Sequence, residues 1–320
     1  MSPSEAGDRR GRAEGRRERP AARPPRRKRS NTVLLSQVLT GAVEAAGDKL
    51  AIVAGAQTVT YRELDARSSK LARVLIDDGV GPGDVVATAL DRSVESIVAL
   101  WAIARAGAAV APVDLARVET SLAVGATVGL TVSAHRRDLP AAIAWSALDD
   151  DAILARLDAA SSVPVTYRDR IRPLQADDAA FVIVDDTETA VVLTHHGLSS
   201  LAAGDKYSVD ADCRVLHAAP AASGLAILEL ILAFGAGATA VVVAEADDLA
   251  AVITEQGVTH AVLTPGVLAT VDPAGLDTLR VVVAVGDIFG TELLTTSRTP
   301  TGSSFSVSSR GSRTRRAVIG

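Results

Sequence analysis

The chain's pattern predicts an α/β fold on mostly parallel, doubly wound sheets, from three observations. Short runs rich in Val, Leu and Ala alternate with stretches of helical spacing. Turn residues separate the two, most clearly Pro82-Gly83-Asp84. Apolar residues make up 48% and aromatics only 3%, which predicts an aliphatic interior rather than one built on aromatic clusters. At 320 residues the chain suffices for two modest domains or one large one.

The elements follow in order. Val33, Leu34, Val38, Leu39, Val43 and Ala46 recur at helical spacing until Gly47. Residues 50–53 and 58–60 read as a hairpin around Gly55-Ala56. The clearest helix is 61–78, with Leu64, Leu71, Leu75 and Ile76 as its buried stripe. Thr60 caps it, Glu63 completes a capping box, and Gly79 supplies a left-handed end. A strand at 85–90 leads to a helix from Ser93 to about Arg105, with Glu95 near its positive end and Gly107 closing it. Strands at 108–113 and 126–132 follow. Residues 136–175 are less regular, apart from a helical stretch near 148–157. Strands then resume at 181–184, 191–193, 214–218, 239–243, 259–263 and 279–285. Helices fill the gaps at 196–203, 225–234, 247–256 and 266–269.

Charge divides the chain. Residues 1–30 hold eleven Arg/Lys against four Asp/Glu, and residues 295–320 hold five Arg and no acid. The body between them carries −17 within a net −5. Both ends lack apolar periodicity, so 1–30 and 295–320 read as disordered basic tails around a domain at 31–294. Arg26-Arg27-Lys28-Arg29 permits non-specific phosphate contact, but no interleaved aromatics or reading motif supports nucleic-acid recognition. A single cysteine excludes a disulfide framework and predicts a reducing cytoplasmic setting. The apolar runs are too short to span a membrane, and no h-region follows the basic start. His195-His196 diverge at a helix start without a third ligand nearby, which favours a structural role over metal binding.

Residues 178–198 run from an apolar strand through Asp185, Asp186, Thr187, Glu188 and Thr189 into a second strand, then Thr194-His195-His196-Gly197-Leu198. This resembles the phosphate-loop region of the adenylate-forming, AMP-binding superfamily, most closely the adenylation domains of nonribosomal peptide synthetases. Four further segments match that family in order. They are Val59-Thr60-Tyr61-Arg62-Glu63-Leu64, then Arg105-Ala106-Gly107 through Val113-Asp114, then residues 214–240, and then Gln256 to Pro265 with Leu279 to Asp287. Together they cover about 34–294.

The resemblance implies two lobes, ATP and Mg²⁺ as cofactors, and formation of an acyl-adenylate and pyrophosphate from a carboxylic acid. Gly286-Asp287 stand where the family ends its strand pair at the adenine pocket. Ser223 and Gly224 stand where amino-acid-activating members carry Phe-Asp, whose carboxylate meets the substrate's α-ammonium. Without it a carboxylic acid lacking an α-amine remains acceptable. The family's phosphate loop is glycine-rich and carries a lysine. Here Asp185, Asp186 and Glu188 oppose a triphosphate and leave Thr187 and Thr189 as donors, which predicts weakened or lost ATP binding. The family's Tyr-Gly-Pro-Thr-Glu motif and its later lysine-bearing domain do not follow Gly286.

The expectation is therefore a degenerate or truncated adenylation domain, catalytically incomplete, with no catalytic residue or metal ligand assigned. Two alternatives stand beside it. One is weak adenylation of a non-amino acid with a separate C-terminal domain. The other is a non-catalytic module that associates with peptide-synthetase components.

Overall fold

The computed structural model describes residues 34–121, 124–184, 189–202, 207–244, 247–271, 276–285, 304–308 and 315–318. Helix α1 (Leu35–Ala46) leads into the hairpin β1 (Leu50–Ala54) and β2 (Gln57–Thr60). Helix α2 (Tyr61–Asp77) starts where Thr60 Oγ1 accepts from Glu63 N at 3.2 Å while Glu63 Oε2 accepts from Thr60 N at 2.8 Å. That reciprocal cap is the predicted one. Gly79 then adopts φ +84°, a conformation glycine reaches without steric cost. The first half continues with β3 (Val85–Ala89), α3 (Val94–Ala106), β4 (Ala109–Pro112), α4 (Val118–Ser121), β5 (Val128–Thr131), β6 (Ala144–Ala147) and α5 (Asp151–Ala159). The second half holds β7 (Ala179–Val184), β8 (Ala190–Thr194), α6 (His195–Ala202), β9 (Arg214–His217) and α7 (Gly224–Gly235). It ends with β10 (Thr239–Val242), α8 (Leu249–Glu255), β11 (His260–Leu263), α9 (Pro265–Thr270), β12 (Val281–Val285), β13 (Ser304–Ser308) and β14 (Arg315–Val318).

These strands form two sheets dominated by parallel pairs. One has the order β14-β13-β12-β11-β9-β10-β1-β2, the other β6-β5-β3-β4-β7-β8. Antiparallel pairing is confined to the ends, at β1–β2, β13–β14 and β7–β8. The two sheets repeat one device. In each, a strand runs through a central helix to a parallel neighbour, β3-α3-β4 and β9-α7-β10, and the next parallel strand returns on the other side, at β5 and β11.

Strand alternation shows how the layers stack. Ala240 and Val242 of β10 join one core cluster with α1, α2, α3, α7 and Val86 of β3. Val241 and Val243 face the opposite way, onto Ile253 of α8 and Leu268 of α9. In the other sheet Ala87 and Ala89 turn away from Val86 toward Leu139 and Ile143. A layer of helices is thus sandwiched between the sheets, with α8 and α9 covering the far face of one.

Two observations differ from the sequence reading. Three of the nine aromatic residues meet in the central layer: Phe234 contacts Trp101 and Tyr61 edge-on, at ring-centroid distances of 5.3 and 5.8 Å. They meet where helices of both halves converge. Strands β13 and β14 lie within 295–320, a stretch in which the composition predicts no element, and β13 pairs parallel with β12.

Candidate functional site

Doubly wound sheets bind ligands where neighbouring strands send their connections in opposite directions. In the larger sheet that point lies between β9, which runs on through α7 to β10, and β11, which runs on through α9 to β12. His217 and Leu263 end these strands and flank the crevice. The corresponding gap between β3 and β5 is bridged by Thr131 Oγ1 donating to Ala89 O at 3.0 Å. Just beyond it, His135 Nε2 meets Asp91 Oδ2 at 2.9 Å.

Arg92 carries the first half to the lip of the second. Its Nε donates to Val243 O at 2.9 Å and its Nη1 to Ala219 O at 3.4 Å, just past β10 and β9. Ala219 is held from the other side too. Its N–H donates to both oxygens of Glu229, at 3.2 and 3.3 Å, and Glu229 also meets His217 Nδ1 at 2.8 Å. Both side chains of that pair are buried. The lip of the crevice is therefore preformed, because backbone donor and acceptor of one residue are each fixed by a charged side chain.

One wall is apolar. Leu232 of α7 packs on Val262 of β11 and on Val281 and Val283 of β12, with Leu225 and Leu228 against them.

Ser223 and Gly224 lie at this lip. Ser223 caps α7: its hydroxyl accepts from Ala226 N at 3.3 Å and donates to Pro220 O at 2.7 Å. Ser93 caps the equivalent helix α3 in the same way, accepting from Ser96 N at 3.1 Å. Gly224 leaves room, since a Cβ there would meet only Ile183 Cδ1, at 3.9 Å. Thr189 is exposed immediately before β8, the edge strand of the other sheet. Thr187, Gly286 and Asp287 lie outside the described residues, as do Asp185, Asp186 and Glu188.

Nε and Nη1 of Arg92 both serve carbonyls, and residues 185–188, where the family resemblance expects a phosphate loop, include three carboxylates in the sequence.

His195 ties α6 to α1. Its Nδ1 accepts from Leu35 N at 3.1 Å, so the proton sits on Nε2, which is sealed from solvent without a partner among the described residues. Burial pushes the ring from 6.5 down to about 4, with Asp178 opposing the shift and Arg170 reinforcing it. A depressed histidine contributes its full stability above the unfolded value of 6.5 and loses it as pH falls toward 4. At roughly 1.4 kcal/mol per unit that is about 3 kcal/mol. His260 is shifted down by burial as well, so the measure is a difference. His195→Asn keeps an acceptor for Leu35 and removes the titration. Denaturation curves of the two proteins are expected to diverge between pH 6.5 and 4, the wild type losing more, and parallel curves would refute the assignment.

Cys213 is buried, its Sγ 3.1 Å from Asp210 Oδ1, and burial raises its thiol, which leaves it unreactive. His217 and Arg92 are the candidate-site residues that sequence reasoning missed, and Glu229 entered it only as part of the family segment 214–240, without a role. One signal was present: Glu229 is the single charge in the apolar helix GLAILELILAFG.

Comparison with known proteins agrees with this architecture. The family model described as "AMP-binding enzyme" matches residues 39–183 and 189–305, and the break contains the acidic residues 185–188. Novobiocin biosynthesis protein H of Streptomyces niveus is 35% identical over 275 residues, 81% of this chain and 46% of that protein. Phosphinothricin tripeptide synthetase PhsC of Streptomyces viridochromogenes is 34% identical over 295 residues, 86% of this chain and 26% of that one. The chain thus spans less than half the length of these curated relatives. Among solved structures, the nonribosomal peptide synthetase FmoA3 superposes with TM-score 0.78 at 26% identity, covering 89% of this chain and 32% of that one. FmoA3 also has an AMPPNP-bound form, similar at 27% identity with TM-score 0.77 over 87% of this chain and 31% of that one. The NpsA N-terminal subdomain of Klebsiella oxytoca shares the fold, with TM-score 0.78 at 20% identity, over 91% of this chain and 78% of that one. The sheets, their shared switch-point device and the matched segments place this chain in the AMP-binding enzyme family, similar to the adenylation domains of nonribosomal peptide synthetases.

Proposed function

We propose that the chain is a degenerate adenylation domain: it receives a carboxylic acid without an α-amine at the β9–β11 crevice and holds ATP too weakly to complete acyl-adenylate formation. The observation that carries this reading is the sequence at 185–188, three carboxylates and no glycine or lysine, where the family match breaks. Like charges about 4 Å apart repel by roughly 1 kcal/mol even in water. Gly224 supports the acid preference, since it supplies no carboxylate for an ammonium and leaves space beside Ile183. A reducing cytoplasm suits its lone buried thiol, and components of a peptide synthetase are its natural partners by descent.

Calorimetry with Mg-ATP and ATP–pyrophosphate exchange over a panel of carboxylic acids test the reading. The wild type is expected to show no exchange and no saturation at millimolar ATP. The triple variant Asp185→Ser, Asp186→Gly, Glu188→Lys is expected to bind ATP at least about tenfold more tightly, because each removed charge relieves about 1 kcal/mol. Saturable micromolar ATP binding by the wild type, or exchange with any acid, would overturn it.

A further inference from the structure

A carboxylate inside an otherwise apolar helix must recover its lost hydration from partners. Glu229 has them in Ala219 N and His217 Nδ1, the latter at 2.8 Å. A carboxylate only accepts, so the ring nitrogen facing it carries the proton and Nδ1–H is the donor. In the neutral ring Nε2 is then a bare acceptor. It has no partner among the described residues, and it differs from Nε2 of His195 and of His260, both sealed from solvent. The ring keeps a side-chain exposure of 4%. His217 is the last residue of β9, turned toward α7 at the switch point, on the side where Leu225, Leu228, Val262 and Val283 form the apolar wall.

We infer that His217 is a specificity-determining residue whose Nε2 accepts a hydrogen bond from a hydroxyl or amino group on an acid with an apolar body. The inference rests on the reading of this crevice as the acyl site. Glu229 is the positioning residue: it selects the tautomer and pins the lip through Ala219. An acid lacking the donor would leave Nε2 unpaired once the crevice is filled. Its binding is expected to be about ten- to a hundredfold weaker than that of its hydroxylated counterpart.

Imidazole 15N NMR of the full chain, with the His217 signals assigned through His217→Phe, tests this directly. The ligand-free wild type is expected to show a protonated Nδ1 and an unprotonated Nε2. Titration then compares benzoate with 3-hydroxybenzoate, and 3-phenylpropionate with 3-(4-hydroxyphenyl)propionate. In at least one pair the hydroxy acid should bind more tightly and move the Nε2 resonance. Glu229→Gln, whose amide donates to Nδ1, should shift the proton to Nε2 and abolish or reverse that preference. The wild-type spectrum stands alone if that variant does not fold. A protonated Nε2 in the free protein, or pairs that bind equally without moving it, overturns the inference and leaves the acyl-site reading intact. Absence of binding by all four acids overturns both.

Discussion

Replacing Arg105 with leucine is expected to lower the free energy of unfolding by about 3–5 kcal/mol, measured by urea or guanidinium denaturation. Arg105 lies on the inner side of α3 and is 1% exposed. Its Nη2 pairs with Asp65 of α2 and its Nε donates to Ser68 Oγ at 3.1 Å. Its own carbonyl accepts from Arg170 Nε at 2.8 Å, which anchors the irregular segment beneath. Burial pulls the guanidinium below the usual arginine value, and Asp65 offsets part of that pull. Leucine would strand Asp65 in the core without a counter-charge. The double variant Asp65→Leu, Arg105→Met is expected to recover most of the loss, because removing both charges leaves nothing uncompensated. A single variant within about 1 kcal/mol of wild type would show that the pair is not sealed.

Phe234→Ala is expected to cost about 3–5 kcal/mol, the range for deleting a fully buried phenylalanine. Phe234 sits near the end of α7 with Trp101 of α3 and Tyr61 of α2 against its edges. Tyr61 Oη donates to Ala238 O at 2.5 Å, so the same ring fixes the turn before β10. Deleting Phe234 therefore opens a cavity at the joint of three helices and two sheets. Phe234→Leu retains most of the buried area and loses the ring contacts, each worth about 0.5–1.5 kcal/mol, so it should cost about 1–3 kcal/mol. A Phe234→Leu cost under about 0.5 kcal/mol would argue against an aromatic contribution.

Much of the fold was legible along the chain. The hairpin at Gly55, the Thr60–Glu63 cap, the left-handed Gly79 and Gly107, and the alternation from β3 to β12 all depend on residues within a few positions of each other. Strand β6 was missed because Ala144–Ala147 has little β preference. It forms on the edge beside β5, where the Trp145 ring packs against the backbone of Gly129. The aliphatic composition also concealed the aromatic joint, since composition counts residues without saying which of them meet.

The candidate site divided the same way. Ser223 was read as a pocket position from the family match, and the structure shows its hydroxyl engaged as a helix cap, like Ser93. His195 was read as structural, but its partner, Leu35 N, lies 160 positions away and no periodicity points to it.

The sequence by itself determined most of the helices and strands and the acidity of residues 185–188, because caps, turns and side-chain charge are properties of neighbouring residues. Only the tertiary structure decided that β9 and β11 part company at His217 and Leu263. It alone brought Arg92 from the other half onto Ala219 and Val243, and seated Glu229 beneath His217. Those contacts depend on strand order and on which sheet face a helix covers, and a linear pattern of apolar residues is compatible with several such arrangements.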